Sequence, residues 1–188
     1  MLILASASPR RLDLLRQINI TPDHVIPADI NETEGKRELP APYAKRMALE
    51  KAEKIAADQT DAFVLAADTV VAVGRRILPK AETPEQARQC LEMLSGRSHK
   101  VLGGICLIHP DGKKNLTVCS STVKMKRLTE AEIQGYVDSG EWDGKAGGYA
   151  IQGQAERFIK SIQGSVSNII GLNLYQTANY LTAAGFKV

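Results

Sequence analysis

The stretch LILASASPRRL, residues 2–12, joins a short apolar run to two serines, a proline and two adjacent arginines. The apolar run Leu2–Ala5 predicts a buried strand. Ser8 is a good N-cap residue and Pro9 suits the first position of a helix, so a helix is predicted over residues 9–17. Apolar residues recur there at helical spacing: Leu12, Leu15 and Ile18. The stretch therefore predicts a strand, a tight turn and a helix at the start of an α/β fold.

The two arginines fall in the first turn of this predicted helix. A helix N-terminus carries a partial positive charge and unpaired N–H groups, so cations are unfavourable there unless an anion is also present. A bound phosphate would resolve the conflict, because hydroxyl, amide and guanidinium groups all bind its oxygens. The alternative is a surface helix whose arginines point into solvent.

Composition indicates an ordinary globular protein. The chain has 188 residues, which suits a single domain spanning residues 1–188. Its net charge of +3 is too small to indicate a nucleic-acid or membrane surface, although it allows a local basic cleft. The cysteines form no CxxC pair, and the short N-terminal apolar run does not resemble a signal peptide. We therefore expect a cytoplasmic protein with neither a nucleic-acid nor a membrane partner.

Hydrophobic patterning predicts strands and helices that alternate at the start of the chain and then a hairpin. A long loop is expected over residues 28–42, and the run Phe63–Ala67 is expected to be a strand that ends at Asp68. The other predicted elements are helices over 43–57, 84–95, 129–138 and 172–184, a hairpin of 99–109 and 115–127, a glycine-rich loop over 144–153, and a strand over 158–162. This order predicts an α/β fold with a mixed central sheet, whose ligands bind outside the carboxyl ends of the strands.

Two acidic residues are candidates for catalysis or metal binding. Asp68 follows five apolar residues, so its carboxylate is expected at the mouth of the core, where it would act as a metal ligand or a base. Capping of the next turn is the alternative for a strand-ending Asp. Glu32 lies in the long loop, where a solvated charge is the alternative.

Two lysines are candidates as well. Lys51 falls near the apolar edge of its helix, so it either reaches inward or extends its charged end to solvent. Lys80 follows a proline in a loop and would meet a phosphate as a point charge.

Together these residues form a set with one chemical logic. A polyphosphate with a divalent cation would interact with all of them: two carboxylates would hold the metal, and four cations and a hydroxyl-rich turn would bind the phosphate oxygens. The members are Glu32, Asp68, Arg10, Arg11, Lys51, Lys80 and the serines of residues 6–8. Carboxylate oxygens bind Mg²⁺ or Mn²⁺. A serine hydrolase is a weaker interpretation, because the sequence offers no partner histidine for Ser6 or Ser8.

Seven ordered motifs resemble those of the Maf proteins, which are nucleoside triphosphate pyrophosphatases of the inosine-triphosphatase-like fold. They are SASPRR (6–11), NET (31–33), EKA (50–52), ADTV (67–70), LPK (78–80), LSG (94–96) and GYAIQG (148–153). The resemblance covers about residues 2–186. It implies a mixed sheet flanked by helices around a two-lobed cleft, and a homodimer.

The resemblance also implies an activity and roles for single residues. The implied reaction cleaves a nucleoside triphosphate between its α and β phosphates. Asp68 matches the family's catalytic acidic residue, whose carboxylate acts as the proton acceptor for the attacking water. Residues that match the phosphate and metal cluster are Ser8, Arg10, Arg11, Glu32, Lys51 and Lys80. Residues that match positions of base choice are Arg11, Thr69 and Gln152. Their identities are similar to those of the branch that prefers dTTP and UTP.

Two other functions remain open at this stage. One is a house-cleaning pyrophosphatase with broad selectivity for modified nucleotides. The other is a nucleotide-binding regulator of cell division, linked to septum formation, whose hydrolysis is incidental. Binding and hydrolysis would use the same residues, so the sequence does not separate these functions.

Overall fold

The computed structural model describes the whole chain, Met1–Val188, and its elements alternate as the sequence predicts. The strands are β1 (Leu2–Ala5), β2 (His24–Val25), β3 (Phe63–Val73), β4 (Arg76–Leu78), β5 (Lys80–Ala81), β6 (Ser98–Ile108), β7 (Lys114–Met125), β8 (Lys145–Ala146) and β9 (Ile159–Gln163). The α-helices are α1 (Pro9–Gln17), α2 (Pro40–Ala56), α3 (Pro84–Leu94), α4 (Glu130–Asp138), α5 (Val166–Ile170) and α6 (Leu174–Ala183). None of the helices is long and apolar enough to cross a membrane.

The central sheet is mixed, as predicted. Its strand order is β2-β1-β3-β6-β7-β9, and β4 pairs with the end of β3. Strand β1 runs parallel to β3, whereas β6, β7 and β9 follow in antiparallel order. A second sheet consists only of β5 and β8.

One edge of β3 is interrupted. Strand β1 pairs with β3 only as far as Ala66, and β4 takes over at Val71. Because β6 pairs along the opposite edge of β3, both β1 and β4 must lie on this edge. No strand pairs here with the segment Ala67–Val70, which we call the notch. The notch leaves a gap of about 13 Å in the sheet edge, at roughly 3.3 Å per residue.

The hydrophobic core consists of clusters on both faces of the central sheet. Alternate residues of β1 and β3 face opposite sides of the sheet, as the strand period requires. Leu4 and Leu65 pack with α1 and α6 on one face, and Ile3 and Val64 pack with α2 on the other. A third and larger cluster contains the buried faces of α3 and α4 against the far half of the sheet. The first two clusters include β3 residues up to Ala67 and the third includes Val71, so the notch lies where the core passes from one set of clusters to the other.

Several sequence-based boundaries need correction. The prediction that the strand from Phe63 ends at Asp68 is wrong, because β3 continues to Val73 along β6. Helix α2 begins at Pro40 rather than Tyr43, since proline is well tolerated in a first helical turn. The final helix begins at Leu174, where the Asn173 side chain accepts a hydrogen bond from the Gln176 N–H. A short helix, α5, precedes it and was not predicted.

Candidate active site

A cavity of 420 Å³ opens at the notch. The turn after β1 forms one wall, and the glycine-rich segment after β8 forms another. The cavity is lined by all nine residues that the sequence selects: Ser8, Arg10, Arg11, Glu32, Lys51, Asp68, Thr69, Lys80 and Gln152. They reach it from loops and elements separated by as many as 144 positions, so only the fold brings them together.

Four of these residues form a continuous chain of ion pairs. Lys51 Nζ lies 2.6 Å from Asp68 Oδ1 and 2.7 Å from Glu32 Oε1. Lys80 Nζ lies 2.5 Å from Glu32 Oε2. The side chains of Lys51 and Asp68 are only 8% and 6% exposed, so Lys51 reaches inward, as one of its two interpretations predicts. Two cations and two anions alternate here, and the chain is neutral within itself.

Glu32 is held in its ionised form. Burial alone raises the pKa of its carboxyl, but hydrogen bonds and charges from Lys51 and Lys80 outweigh burial and lower the pKa from 4.5 to about 2. The sequence left open whether Glu32 is a solvated loop charge. Its two lysine partners place it in the cluster instead.

This lowered pKa predicts a pH dependence of stability. A carboxyl with a depressed folded-state pKa stabilises the protein above its ordinary value of 4.5, and this contribution is lost as the pH falls towards about 2. We therefore expect Glu32→Gln to destabilise the protein more at pH 7 than at pH 3. Urea unfolding of both proteins at the two pH values measures the difference. An equal difference at both values would contradict the interpretation.

The loop that carries Glu32 is fastened to α2. Tyr43 Oη donates to the Glu32 carbonyl over 2.7 Å, and Arg46 Nη2 donates to the Thr33 carbonyl over 3.1 Å. Arg46 also binds both carboxylate oxygens of Glu38, at 2.8 and 2.6 Å. A bidentate pair of this kind fixes geometry as well as charge. The Glu32 carboxylate is thus positioned by contacts that the sequence analysis missed.

Arg11 occupies the opposite side of the notch. Its guanidinium donates to Ser6 Oγ at 3.0 Å, to Thr69 Oγ1 at 3.3 Å and to the Gly171 carbonyl at 2.9 Å. All three acceptors are neutral, so the positive charge of Arg11 is not cancelled by a direct partner. Asp68 and Thr69 are consecutive residues of β3, and their side chains point to opposite faces of the strand. The Asp68 carboxylate accepts a hydrogen bond from Lys51 of α2, and the Thr69 hydroxyl accepts one from Arg11.

Ser8 takes the N-cap position of α1, as predicted. The Ser8 hydroxyl makes no capping bond, and the Ser8 N–H instead donates to Ser6 Oγ over 3.1 Å. Ser6 Oγ therefore organises the turn, since it accepts from both Ser8 and Arg11. The Ser8 hydroxyl is left available to the cavity that it lines.

Comparison with known proteins agrees with this architecture. The family described as "Maf-like protein" matches residues 1–184. The chain belongs to the Maf family. A dTTP/UTP pyrophosphatase from Paramagnetospirillum magneticum is 62% identical over 98% of this chain and 97% of its own length. A second protein of that name, from Caulobacter vibrioides, is 57% identical over 99% of this chain and 96% of its own.

A solved structure of low sequence identity has a similar fold. It is the HAM1 protein from Coxiella burnetii, with a TM-score of 0.50 and 19% sequence identity over 97% of this chain and 98% of that protein. At this identity the likeness concerns the fold alone. It agrees with the predicted fold class of a mixed sheet flanked by helices.

Two contributors to the site of this Maf-family chain were missed by sequence reasoning. They are the Glu38–Arg46 pair that holds the Glu32 loop, and Lys145 on the far wall of the cavity. Lys145 offered one signal. It stands next to the glycine-rich run that leads into the GYAIQG motif.

Proposed function

We propose that this protein is a nucleoside triphosphate pyrophosphatase that prefers dTTP and UTP and releases the nucleoside monophosphate and pyrophosphate. The observation that carries the proposal is the Asp68–Lys51–Glu32–Lys80 chain of ion pairs, buried at its Asp68–Lys51 end, beside the hydroxyl- and arginine-rich turn in one cavity. Two nearly full-length relatives that are named dTTP/UTP pyrophosphatase support the reaction and its substrates.

In this proposal the triphosphate lies along the notch. The Ser8 hydroxyl and the Arg10 guanidinium at the start of α1 bind phosphate oxygens, and the N-terminus of α1 contributes its partial positive charge. Lys80, which is half exposed, turns from Glu32 to the incoming phosphates. Arg10, which is unfavourable by itself in a first helical turn, is thereby explained by an anionic substrate, whereas Arg11 is held by acceptors within the protein.

Asp68 acts as the general base. Its Oδ1 is paired with Lys51, whereas Oδ2 has no hydrogen-bond partner within the protein and is available to a water molecule. The P–O bond between the α and β phosphates breaks, water supplies the new P–O bond, and one of its protons passes to Asp68. The electron pair of the broken bond leaves with pyrophosphate, whose growing charge Lys51 and Lys80 offset.

The donor set fits a divalent cation that is shared with the substrate. No group of three or more His, Cys, Asp or Glu side chains forms a metal site within the protein alone. Glu32 and Asp68 provide two hard carboxylates, and Mg²⁺ is commonly held by one or two carboxylates together with substrate phosphates. When bound, Mg²⁺ or Mn²⁺ supplies further neutralisation of phosphate charge.

Base selection falls to residues on the other side of the notch. The Gln152 side chain lines the cavity and has no hydrogen bond within the protein. Its amide offers one acceptor and two donors, which suits the alternating groups on the edge of uracil or thymine. Arg11 and Thr69 are joined to each other and to Gly171, so they form a fixed boundary for this part of the cavity.

A substrate panel tests the proposal. The protein is incubated with dTTP, UTP, CTP, GTP, ITP and 7-methyl-GTP, each with Mg²⁺ or Mn²⁺, and pyrophosphate is measured separately from orthophosphate. We expect pyrophosphate from dTTP and UTP at about 10- to 100-fold higher kcat/KM than from the other nucleotides, since unpaired polar groups oppose a wrong base.

Other outcomes of the panel point to the competing functions. Comparable release from many nucleotides would favour the broad house-cleaning enzyme. Tight nucleotide binding without turnover would favour the regulator, and orthophosphate as the product would reject the proposed reaction. We also expect Gln152→Ala to reduce the preference for dTTP and UTP while hydrolysis itself persists, which the same panel measures.

A further inference from the structure

The cations around the cavity differ in whether a carboxylate already neutralises them. Lys51 and Lys80 are paired with Asp68 and Glu32. Three other cations that line the cavity, Arg10, Arg11 and Lys145, form no ion pair. The Arg11 guanidinium is already held by the neutral acceptors Ser6, Thr69 and Gly171, which leaves Arg10 and Lys145 as the freer pair. Arg10 makes no side-chain hydrogen bond, and Lys145 Nζ donates only to the Asp143 carbonyl, at 2.7 Å. The positive charge that is available to an anion is thus concentrated on residues outside the Asp68–Lys51–Glu32–Lys80 chain.

Backbone pairing brings Lys145 to the cavity. In the small sheet, Lys145 lies opposite Ala81, the residue after Lys80. The Gly144 N–H donates to the Ala81 carbonyl and the Gly147 N–H to the Pro79 carbonyl, each over 2.9 Å. These bonds fasten the segment that bears Lys145 to the strand that bears Lys80.

A glycine completes this attachment. Gly147 has a φ of +68°, and a Cβ at this position would lie 2.7 Å from Val71 Cγ1. Only glycine fits such a left-handed backbone so close to β3. The segment with Lys145 is therefore seated against the strand that forms the notch.

The charges of Arg10 and Lys145 also repel each other. Burial lowers the pKa of Lys145, and the positive charge of Arg10 lowers it further, while Asp143 and Glu141 act in the opposite direction. Burial likewise lowers the pKa of Arg10. Two partly desolvated cations that repel one another across a cavity are stabilised by an anion placed between them.

We propose that Lys145 is a substrate-binding residue and that Lys145 and Arg10 together bind the pyrophosphate end of the nucleoside triphosphate. The assignment rests on the proposed function, because it presumes that a nucleoside triphosphate fills the cavity and assigns its pyrophosphate end to one part of the lining. Gln152, Arg11 and Thr69 serve the base. Lys51 and Lys80 already have carboxylate partners, so Arg10 and Lys145 supply the positive charge that is not yet neutralised for the phosphates that leave as pyrophosphate. A pyrophosphate group carries enough charge to satisfy both cations.

The proposal is tested by measuring the binding of the two products, pyrophosphate and the nucleoside monophosphate, separately. Titration calorimetry measures the affinity of the wild type and of Lys145→Gln for inorganic pyrophosphate and for thymidine monophosphate. We expect Lys145→Gln to weaken pyrophosphate binding by at least about tenfold, since one charge-assisted hydrogen bond is lost. Binding of the monophosphate is expected to change by less than about twofold, within the scatter for residues that share no partner.

Two further variants sharpen the result. Lys145→Arg keeps the charge and is expected to retain most pyrophosphate affinity, whereas Lys113→Gln removes an exposed lysine from the β6–β7 turn and serves as the matched control. Unchanged pyrophosphate affinity in Lys145→Gln, an equal loss for both products, or no pyrophosphate binding by the wild type would each overturn the proposal. These titrations need no turnover. An inactive wild type whose pyrophosphate binding still depends on Lys145 would reject the proposed reaction and leave this site standing.

Discussion

Asp68→Asn is expected to abolish hydrolysis of dTTP while nucleotide binding persists. An amide has nearly the shape of a carboxylate but does not accept the proton of the attacking water. Loss of a general base typically costs 10²- to 10⁴-fold, and we expect kcat to fall by about 10³-fold. Lys51 remains paired with Glu32 in the variant, so the cluster keeps one of its two carboxylates.

Two measurements check this expectation. Pyrophosphate release gives kcat, and titration of a non-hydrolysable dTTP analogue gives the affinity. The matched control is Asp61→Asn, which alters an exposed aspartate in the turn before β3. Substantial turnover by Asp68→Asn would remove Asp68 from the role of base, and loss of analogue binding with lost turnover would assign it to binding instead.

Lys51→Met is expected to have the largest effect on stability. Lys51 is the only cation between Asp68 and Glu32, and methionine of similar length leaves the buried Asp68 carboxylate without its 2.6 Å partner. Removal of one member of a buried ion pair costs about 3–5 kcal/mol, because the other charge stays desolvated. We expect urea unfolding to show a loss of about 3 kcal/mol, together with loss of turnover.

A double variant shows whether the loss of stability comes from the unpaired Asp68 charge or from general damage to α2. In Lys51→Met with Asp68→Asn, the uncompensated charge is gone, so much of the lost stability is expected to return while activity does not. Lys54→Met, an exposed position on the same helix, controls for the substitution itself. A double variant as unstable as the sum of its two parts would show that the pair contributes nothing through its charges.

Helices and strands could be predicted wherever the segment itself contains an apolar pattern or a residue that marks its boundary. The opening strand and helix lie at the predicted boundaries, Leu2–Ala5 and Pro9–Gln17, because an apolar run and Pro9 mark their limits. The polar residue Asp68, which follows an apolar run, predicts the end of a strand. It lies inside β3 instead, because the neighbouring strand β1 stops and the ladder to β6 does not. Strand partners, which decide this point, are not encoded locally.

The site, too, has residues that the sequence predicts and residues whose role depends on tertiary contacts. Residue chemistry and motif resemblance selected nine residues that the fold gathers around one cavity. They did not select Arg46 and Glu38, whose pairing holds the Glu32 loop, since an Arg and a Glu eight positions apart give no sign of contact. Lys145 was missed because its position depends on a two-residue sheet that lacks a sequence signal of its own.

The notch has a consequence for solubility. Unpaired strand edges invite strands of other molecules to add to them, which is a common route to aggregation. Here the open edge is only four residues long and is closed at either end by β1 and β4. Charged side chains surround it: Asp68, Lys51, Glu32 and Arg11. An approaching strand would have to desolvate the charges that are still partly exposed, such as Glu32, and pack against the others. The residues proposed to serve the substrate thus also keep the sheet from growing into a neighbouring molecule.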